Sequence, residues 1–501
     1  MINRDPRSDF PIRAKRQESR RTDVGVLGAS GVKQGLGAIR QAPLRPYQIN
    51  AIRRWIYAYF FLLIFEGALR KWVFGEVPLI SLPLSIVRDP VAVMIYFLAW
   101  RAKVLPGRIR DACWLGLGVF SVLGVLQLFS TPGLSFWVVL YGLHTYWLHV
   151  PLIFVMAEVL GQEDLLRIGR WLLLLAGPMA VLMVAQFFAP PDSFLNRGMF
   201  AVGEGQISAA LGRIRPAGTF SYNSGVASFN LLVTAYLIFS FVDGRWISSW
   251  MRWIAAVALV VTLPISGSRG FVLSFALFLV FALIGGSFNT RLLGVTIRTI
   301  AVGIAIFSLL TFTSFFQQGM ETFTARWNEA LGGSAAGSIH ESIVLRIFGE
   351  FVRAFDALGN APLLGHGLGL GSNFGAAYTF GRFFFALAET EWERTVLELG
   401  PIIAILWLGS RCAFGGFLIR RSWMILRRGQ PLPWLLFGTE CMTFFNGPTV
   451  QPSPLGFIVF TTGLCLAAIK SADRGSSHPL QRTKEPVRRS RWRPTRAVCW
   501  R

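Results

Sequence analysis

The sequence predicts an all-α, polytopic transmembrane helix bundle of about 12 spans, with a large and partly helical periplasmic loop. The first reason is composition: 53% of the 501 residues are hydrophobic, 15% are charged, and the mean hydropathy is +0.51. Soluble multidomain enzymes are less apolar than this. The second reason is the length of the apolar segments, many of which reach the roughly 20 residues that a helix needs to cross a bilayer.

Twelve segments are long enough, or nearly long enough, to cross a membrane as helices. In chain order they are 55–74, 80–100, 112–130, 136–157, 171–189, 225–242, 250–266, 270–286, 292–316, 396–419, 432–446 and 454–470. The sequence Arg88-Asp89-Pro90 interrupts the second segment, and the eleventh is short and contains Glu440. Loss of such a doubtful pair would leave ten spans.

The positions of the basic residues predict the orientation of the bundle. Residues 1–54 hold twelve Lys and Arg, and the tail from Lys470 holds ten. Smaller groups occupy alternate predicted turns, at 101–110, 167–170, 245–252, 291–298 and 411–428, and bring this set to 37 of the 49 basic residues. Because cytoplasmic loops carry the excess of Lys and Arg, both termini are predicted to be cytoplasmic, which requires an even number of spans.

This topology also explains the formal net charge of +23. In a soluble protein such a charge would suggest nucleic acid as a partner, but here we expect none. The basic arm and tail are instead expected to be attracted to the anionic lipids of the inner leaflet. The glycine-rich run 25–31 in the arm has no preceding strand and no βαβ unit, so it is not interpreted as a dinucleotide loop.

The sequence therefore divides into five parts. A basic, disordered cytoplasmic arm covers 1–54, spans one to nine cover 55–316, a large periplasmic loop covers 317–394, spans ten to twelve cover 395–470, and a basic cytoplasmic tail covers 471–501. The five cysteines show no CxxC spacing, so neither a structural disulfide nor a metal site is expected. His144 and His149, between aromatic residues of the fourth span, are interpreted as hydrogen-bonded helix residues.

Arg269 is the most informative single residue, because it interrupts an apolar stretch that runs from Ile254 to Ile284. A guanidinium at hydrocarbon depth costs at least about 2.5–3.5 kcal/mol, so it requires an anionic partner or a wet cavity. The topology places it on the outer face between spans seven and eight. Its partner is then either a buried carboxylate, for instance Glu66 or Glu440, or an anionic substrate.

Two further outer segments carry features of a functional site. The segment 190–224 contains Arg213 and Arg215 before a turn and a helix start rich in small residues. The loop 317–394 is far longer than an ordinary connection, and loops of this length are usually functional or disordered. Within it, apolar residues at helical spacing predict an amphipathic helix over Ile339–Leu358, and a glycine-rich turn over 361–373 has backbone amides that can approach an oxyanion.

Four of these motifs, in this order, resemble the pattern of the O-antigen ligase and O-antigen polymerase-like membrane proteins. They are Arg-Pro-Ala-Gly-Thr-Phe at 215–220, Ser-Arg-Gly at 268–270, Pro-Leu-Leu-Gly-His-Gly-Leu-Gly at 362–369 and Glu-Leu-Gly at 398–400. The resemblance covers about half of the chain. The earlier runs Glu-Gly-Ala-Leu-Arg-Lys-Trp at 66–72 and Arg-Asp-Pro at 88–90 are similar to those of a divergent subgroup.

The resemblance implies glycosyl transfer on the outer face of the bacterial inner membrane. A glycan leaves undecaprenyl diphosphate and joins another glycan or a lipid acceptor, in the assembly of a cell-surface polysaccharide such as lipopolysaccharide or exopolysaccharide. Members of the family work without a nucleotide sugar and without a metal, so no cofactor is expected. Membrane lipid and polysaccharide assembly proteins are the further partners that the resemblance implies.

The resemblance also assigns roles to residues of this chain. Arg215 and Arg269 would stabilise the negative charge that builds on the departing diphosphate. Ligases carry a His-Asn pair before the Glu-Leu-Gly element, whereas here Glu389 and Thr390 stand at those positions. Glu389 or Glu391 would then take the proton of the attacking hydroxyl, unless these acids only pair with neighbouring arginines. The substrate-binding candidates are Arg213, His366, Gly367, Asn373 and Arg394.

Two other classes of function remain open at this point. Twelve spans with charge inside the membrane are also typical of a secondary transporter, although no internal repeat relates the two halves of the chain. A non-catalytic membrane component of a polysaccharide export complex is the third hypothesis.

Overall fold

The computed structural model describes residues 46–74, 86–198, 208–332, 339–381, 386–447 and 449–476. Most of the predicted arm and tail lie outside these residues. The boundary of the arm differs from the prediction, because the first helix already begins at Pro46. Its first turns are anchored by Arg53, whose Nε donates to the carbonyl of Val159 and lies 3.1 Å from Oδ2 of Asp164.

The described part of the chain is helical and contains no strand. The helices are α1 Pro46–Ala68, α2 Arg88–Arg101, α3 Gly107–Ser130, α4 Phe136–Leu143, α5 Val150–Val159, α6 Gln162–Phe188, α7 Asn223–Val242, α8 Ser249–Ile265, α9 Arg269–Gly286, α10 Thr290–Leu310, α11 Ser314–Gly332, α12 Ile339–Asn360, α13 Asn373–Phe380, α14 Glu391–Leu399, α15 Pro401–Leu426, α16 Leu432–Asn446 and α17 Pro452–Ser476.

Each of the twelve segments that the sequence predicts to be spans contains helix in its described residues, but the bounds differ. The predicted segment 292–316 continues past the end of α10 into α11, and 396–419 includes the break between α14 and α15. Eight helices in the described residues are long and apolar enough to cross a membrane, with the pair α4 and α5 counted as one. The other four predicted segments form α1, α2, α8 and α16, which are shorter or more polar. The prediction of a helical, multi-pass chain is confirmed at this level.

Two π-helical stretches interrupt this regular pattern. The first, Leu69–Val73, ends α1, and the second, His144–Leu148, joins α4 to α5. Pro151 explains the second, because its ring nitrogen cannot donate to the carbonyl four residues earlier. The last residue of this stretch, Leu148, has a carbonyl that accepts a 2.6 Å hydrogen bond from the hydroxyl of Tyr96. Such π turns often occur at functional sites.

Burial separates the central helices from the peripheral ones. In the most apolar part of α7 and of α17, 89% of the residues are buried, whereas in that of α10 only 11% are buried. Close helix contacts in the centre depend on small residues, as at Gly169, where a Cβ would lie 2.4 Å from the ring of Tyr236. The helices α7 and α17 therefore form the core around which the others pack.

Polar contacts join helix ends that the sequence assigns to the cytoplasmic side. Besides the pair of Arg53 and Asp164, the start of α6 reaches the α7–α8 turn, where Arg170 donates to the carbonyl of Trp246 at 2.6 Å. At the end of α17, Asp473 pairs with Arg428, which follows α15, at 3.3 Å. Helix ends that the sequence assigns to this side of the bundle thus contact one another in pairs.

The predicted loop 317–394 is largely helical in its described residues. Helix α12 covers the range in which the sequence predicts an amphipathic helix. Of the four apolar residues in that pattern, Ile343 and Ile347 have side chains outside the described set, and Phe351 packs edge-on against Trp392 with ring centroids 4.5 Å apart. Phe355, the fourth of them, is 73% exposed.

Candidate functional site

The segment that carries Arg213 and Arg215 is a tight turn followed by an anchored loop. Leu211 and Gly212 both have positive φ, at 54° and 70°, and the amide of Ala209 donates to the carbonyl of Arg213 at 2.8 Å. Ser208 and Ile214 form an isolated antiparallel bridge across this turn. Arg215 therefore leaves the turn from a fixed backbone position.

The next residues are held against the end of α1. The amide of Gly218 donates to Oε1 of Gln186 at 2.8 Å, and its carbonyl accepts from Nζ of the buried Lys71 at 2.7 Å. The hydroxyl of Thr219 donates to the carbonyl of Ile64 at 2.6 Å. These contacts bring the 215–220 motif onto the 66–72 motif, which sequence reasoning had noted without a role.

Gly67 is the residue that permits this close approach. A Cβ at this position would lie 2.4 Å from the backbone carbon of Phe220 and 2.5 Å from the carbonyl oxygen of Thr219. Real Cβ atoms essentially never come this near to a backbone atom. The glycine is therefore required by packing, and the contact fixes the segment relative to α1.

The turn that carries Arg269 lies directly beside the Arg215 segment. Nδ2 of Asn223 donates to the carbonyls of both Pro216 and Ser266, at 3.1 and 3.2 Å, and so joins the two segments. Gly267 has a φ of 57°, and a Cβ there would lie 3.7 Å from Cγ of Arg215. Arg269 follows two residues later, half-buried, as the first residue of α9. The two predicted diphosphate-binding arginines are thus brought to one end of the bundle.

Arg213 and Arg215 differ in whether their side chains already have partners within the protein. Arg213 donates to Oε1 of Gln318 at 2.9 Å and lies over the rings of Phe187 and Phe188. In contrast, Nε of Arg215 is buried without a hydrogen-bond partner in the described structure. Arg213 is therefore a structural link to α11, whereas Arg215 retains a donor for another group.

A buried ionic cluster lies immediately below the Arg215 segment. Nε of Arg88 donates to Oε2 of Glu66 at 2.8 Å, and Nη1 of Arg70 lies 3.9 Å from Oε1 of the same carboxylate. Arg70 also donates to Oγ of Ser221, at 3.4 Å. Glu66, one of two acids proposed as partners of Arg269, is therefore paired with arginines of α1 and α2. The other, Glu440, is buried and its carboxylate makes no hydrogen bond in the described structure.

The glycine-rich turn at 361–373 packs against the bundle through one buried glutamine. Nε2 of Gln127 donates to the carbonyls of Leu364 and Glu398, at 2.5 and 2.7 Å, and its Oε1 accepts from the amide of Leu368 at 2.7 Å. The amide of Gly371 donates to the Glu398 carboxylate at 2.7 Å. These two turn amides are used within the protein, so they are not available to an oxyanion.

The other residues predicted in this region have separate positions. His366 is half-buried, and its amide donates to the carbonyl of Leu397 at 2.7 Å. Gly367 is buried, with a φ of 137°. Nδ2 of Asn373 lies 3.4 Å from the hydroxyl of Tyr222, so this residue connects the glycine-rich turn to the Arg215 segment.

Glu391 and Arg394 belong to a second buried ionic network. Nη2 of Arg394 donates to Oε1 of Glu391 at 2.9 Å, and Nη1 donates to Oε2 of Glu398 at 2.7 Å. Arg411 and Thr449 complete the network around Glu391. Arg394 is only 2% exposed, so both candidates are held in internal pairs. This is the arginine pairing that the sequence left open as the alternative to catalysis.

Glu389 is exposed, unlike Glu391, and it precedes α14 by two residues. Glu350 on α12 faces the second network. Burial raises the pKa of Glu350 to about 7, and the nearby carboxylate of Glu391 acts in the same direction. Arg411 and Arg353 oppose this shift.

Arg411 does not lie in a turn, although it was counted among the basic residues of a cytoplasmic turn. The sequence analysis assigned it to the turn 411–428, but it lies inside α15, is 9% exposed and donates to the carbonyl of Phe444. Its charge is balanced by Glu391, whose Oε1 lies 3.6 Å away. Tyr146, whose hydroxyl donates to Oε2 of Glu398 at 2.7 Å, was likewise missed as a member of the site, as were Gln127, Glu398 and Thr449. A polar residue inside a predicted span was the available signal for most of them.

A third polar group joins Asp89 of α2 to the π turn. Oδ2 of Asp89 lies 2.7 Å from Nδ1 of His144, and Oδ1 lies 3.2 Å from Nε2 of His149. The two histidines were interpreted as ordinary hydrogen-bonded helix residues, with no metal site expected. The structure places both beside one carboxylate, and His149 also has a hydrogen-bond partner in the hydroxyl of Tyr59.

The helices and the buried charges together define a multi-pass helical membrane protein with a polar site at one end of its bundle. Comparison with protein-family models, with curated proteins and with solved structures finds no match to this chain.

Proposed function

We propose that the protein is a membrane glycosyltransferase of the O-antigen ligase or polymerase type. It would move a glycan from undecaprenyl diphosphate to a glycan or lipid acceptor on the periplasmic face of the bacterial inner membrane. The observation that carries this proposal is the junction of the Arg215 segment with the Arg269 turn through Asn223. Two motifs separated by about fifty residues meet there, which supports a shared role of Arg215 and Arg269 in binding a diphosphate.

The proposed topology has twelve spans, both termini in the cytoplasm and the loop 317–394 in the periplasm. The contacts between helix ends support it. Arg53 and Asp164 are predicted on the cytoplasmic side and meet each other. Asn223, Ser266 and Asn373 are predicted on the periplasmic side and belong to one contact network with Tyr222. An odd number of missed spans between these residues would separate them.

The proposed chemistry is stabilisation of the leaving group by arginine. When the glycosyl bond to the diphosphate breaks, negative charge develops on a phosphate oxygen, and positioned guanidinium groups stabilise it more in the transition state than in the ground state. Arg215 suits this role because its Nε lacks a partner in the described structure. Arg269 suits it because it opens α9, where the positive end of the helix dipole adds to its charge.

The base in this mechanism is best assigned to Glu389. It would accept the proton of the attacking hydroxyl while that oxygen bonds to the anomeric carbon and the diphosphate leaves. The exposure of Glu389 supports this assignment, since Glu391 is held between Arg394, Arg411 and Thr449. Glu391 and Arg394 are then positioning residues of α14.

The deciding experiment is an analysis of the lipid-linked glycans in a deletion strain. Accumulated long chains would indicate a lost ligase, and single repeat units a lost polymerase. Complementation with the wild-type gene should remove the accumulated species, whereas the Arg215→Ala and Glu389→Gln variants should not. A deletion strain with unchanged lipid-linked glycans and unchanged surface polysaccharide would overturn the proposal.

A secondary transporter is the second candidate, and the buried ionic cluster is the observation that favours it. Ionisable residues such as Glu66, Arg70 and Arg88 inside a helix bundle are typical of ion or substrate pathways. Solute flux in proteoliposomes, with no change in lipid-linked glycans on deletion, would select this candidate over the glycosyltransferase.

A further inference from the structure

Asp89, His144 and His149 present three ligand atoms to one small region between α2 and the π turn. One ligand atom from each residue lies within 4.8 Å of the other two. His144 is 8% exposed and His149 is 1% exposed, so neither imidazole is hydrated by bulk water. Two neutral imidazoles and a carboxylate are the donor set that proteins use for zinc and related divalent transition metals.

The three side chains are in close contact, yet several of their polar atoms have no hydrogen bond of good geometry in the described structure. Nδ1 of His144 lies 2.7 Å from Oδ2 of Asp89, yet this nitrogen, Nε2 of His149 and Oδ1 of Asp89 make no hydrogen bond in the described structure. Buried polar atoms are nearly always hydrogen-bonded, so this group requires an explanation. A cation bound by all three atoms would satisfy them together.

The three side chains are close enough to reach one ion after they rotate toward it. Ligand atoms about 2.0–2.2 Å from a tetrahedral metal lie roughly 3.4 Å apart. Nδ1 of His144 lies 2.7 Å from Oδ2 of Asp89, and Nε2 of His149 lies 3.2 Å from Oδ1. All three ligand atoms lie within 4.8 Å of one another, so side-chain shifts of up to about 1 Å would bring them to the spacing of a tetrahedral site. The side chain of Asp89 is 17% exposed, which leaves room on its side for a fourth, exchangeable ligand.

The surroundings supply a supporting shell and balance the nearest positive charge. The hydroxyl of Tyr59 lies 3.3 Å from Nδ1 of His149, the ring nitrogen that faces away from Asp89. Metal-binding histidines usually use their second nitrogen in this way, which fixes the tautomer and the ring orientation. The guanidinium of Arg88 is directed to Glu66, at 2.8 Å, so its charge is compensated by that carboxylate.

We propose that Asp89, His144 and His149 form a binding site for a divalent transition metal of the zinc class, with three protein ligands and one exchangeable position. The site joins α2 to the π turn between α4 and α5, so the ion would hold three helical segments together. This inference does not depend on the proposed glycosyl transfer.

The test is metal binding by the purified full-length protein in detergent, prepared without a polyhistidine tag and treated with a chelator. Cobalt added to this protein should bind saturably, with the visible absorption of a four-coordinate nitrogen and oxygen site, and zinc should displace it. The Asp89→Asn and His149→Gln variants should lose this saturable signal. Tyr59→Phe should weaken cobalt binding by about tenfold, because it removes only the supporting hydrogen bond.

His366→Ala is the matched control, since this histidine lies on the glycine-rich turn and is not part of the group. It should bind cobalt as the wild type does. Wild-type protein without saturable cobalt binding would overturn the proposal, and so would equal binding by the wild type and the Asp89→Asn variant. If the ligand variants cannot be recovered folded, the wild-type titration and the Tyr59→Phe variant still decide the outcome.

Discussion

Nε of Arg88 donates a 2.8 Å hydrogen bond to Oε2 of Glu66, and the two residues are only 2% and 4% exposed. The pair joins α2 to α1 inside an apolar bundle. Nη2 of Arg88 donates to the carbonyl of Pro452 at the start of α17. One buried guanidinium therefore connects three helices, next to the segment that carries Arg215.

Removing one partner of this pair should destabilise the protein strongly. Glu66→Gln leaves the Arg88 guanidinium buried without its counter-charge, and such changes cost about 3–5 kcal/mol. Thermal unfolding in detergent should show a large fall in Tm. The double variant Glu66→Gln with Arg88→Met should recover part of the loss, because it removes both charges. A single variant as stable as the wild type would contradict the buried pair.

Gly67→Ala should also destabilise the protein and displace the Arg215 segment. The added Cβ would lie 2.4 Å from the backbone of Phe220, and a backbone atom cannot move aside as a flexible side chain can. Gly118→Ala on α3 is the matched control, because a Cβ there meets nothing within 4 Å. The control should stabilise the fold by about 0.5–1 kcal/mol in the helix interior. Equal Tm values for the two variants would exclude the close contact.

The helices could be predicted from the sequence, because the signal for a span is local. About twenty apolar residues are long enough to cross a bilayer wherever they occur, so each predicted segment contains helix in its described residues. The meeting of Arg215 with the Arg269 turn was only implied by a shared outer face. The bridge through Asn223 could not be predicted, since it depends on backbone geometry 43 residues away.

The network around Gln127 shows more clearly which contacts cannot be predicted from the sequence. In the sequence this residue is one polar position in an apolar span. In the structure it bonds to Leu364, Leu368 and Glu398, which are more than 230 residues away. The position of Arg411 was predicted wrongly for a related reason. Charge counting treats every basic residue near a span end as solvated, but Arg411 is paired with Glu391, which lies on another helix.

Gln127→Leu should therefore loosen the glycine-rich turn. The change leaves the carbonyls of Leu364 and Glu398 and the amide of Leu368 without this partner, and each unsatisfied buried group costs about 1–3 kcal/mol. Limited proteolysis should cut near 361–373 faster than in the wild type. Gln162→Leu, at an exposed position, should leave the cleavage rate unchanged. Unchanged protection of the turn in the Gln127 variant would contradict its role.

Arg269→Lys should lower transfer activity by at least tenfold while membrane levels remain normal. Lysine keeps the positive charge but loses the planar fork that binds two phosphate oxygens together. The measurement is the ratio of lipid-linked to transferred glycan in the complemented deletion strain. Arg245→Lys is the control, because its side chain is 92% exposed in the α7–α8 turn. Full activity of a stably inserted Arg269→Lys protein would exclude the diphosphate clamp.

Glu350→Gln should remove a pH dependence of stability. Burial raises the pKa of Glu350 from 4.5 to about 7, with Glu391 acting in the same direction and Arg411 and Arg353 opposing it. Between pH 4.5 and about 7 the folded chain keeps this proton while the unfolded chain releases it, so protonation favours the folded state. The stabilisation by the protonated Glu350 is therefore complete below pH 4.5 and is lost as the pH rises through about 7. The Tm of the wild type should therefore fall relative to the variant between pH 5 and about pH 8. Parallel Tm curves for the two proteins over this range would show that Glu350 is not buried beside Glu391.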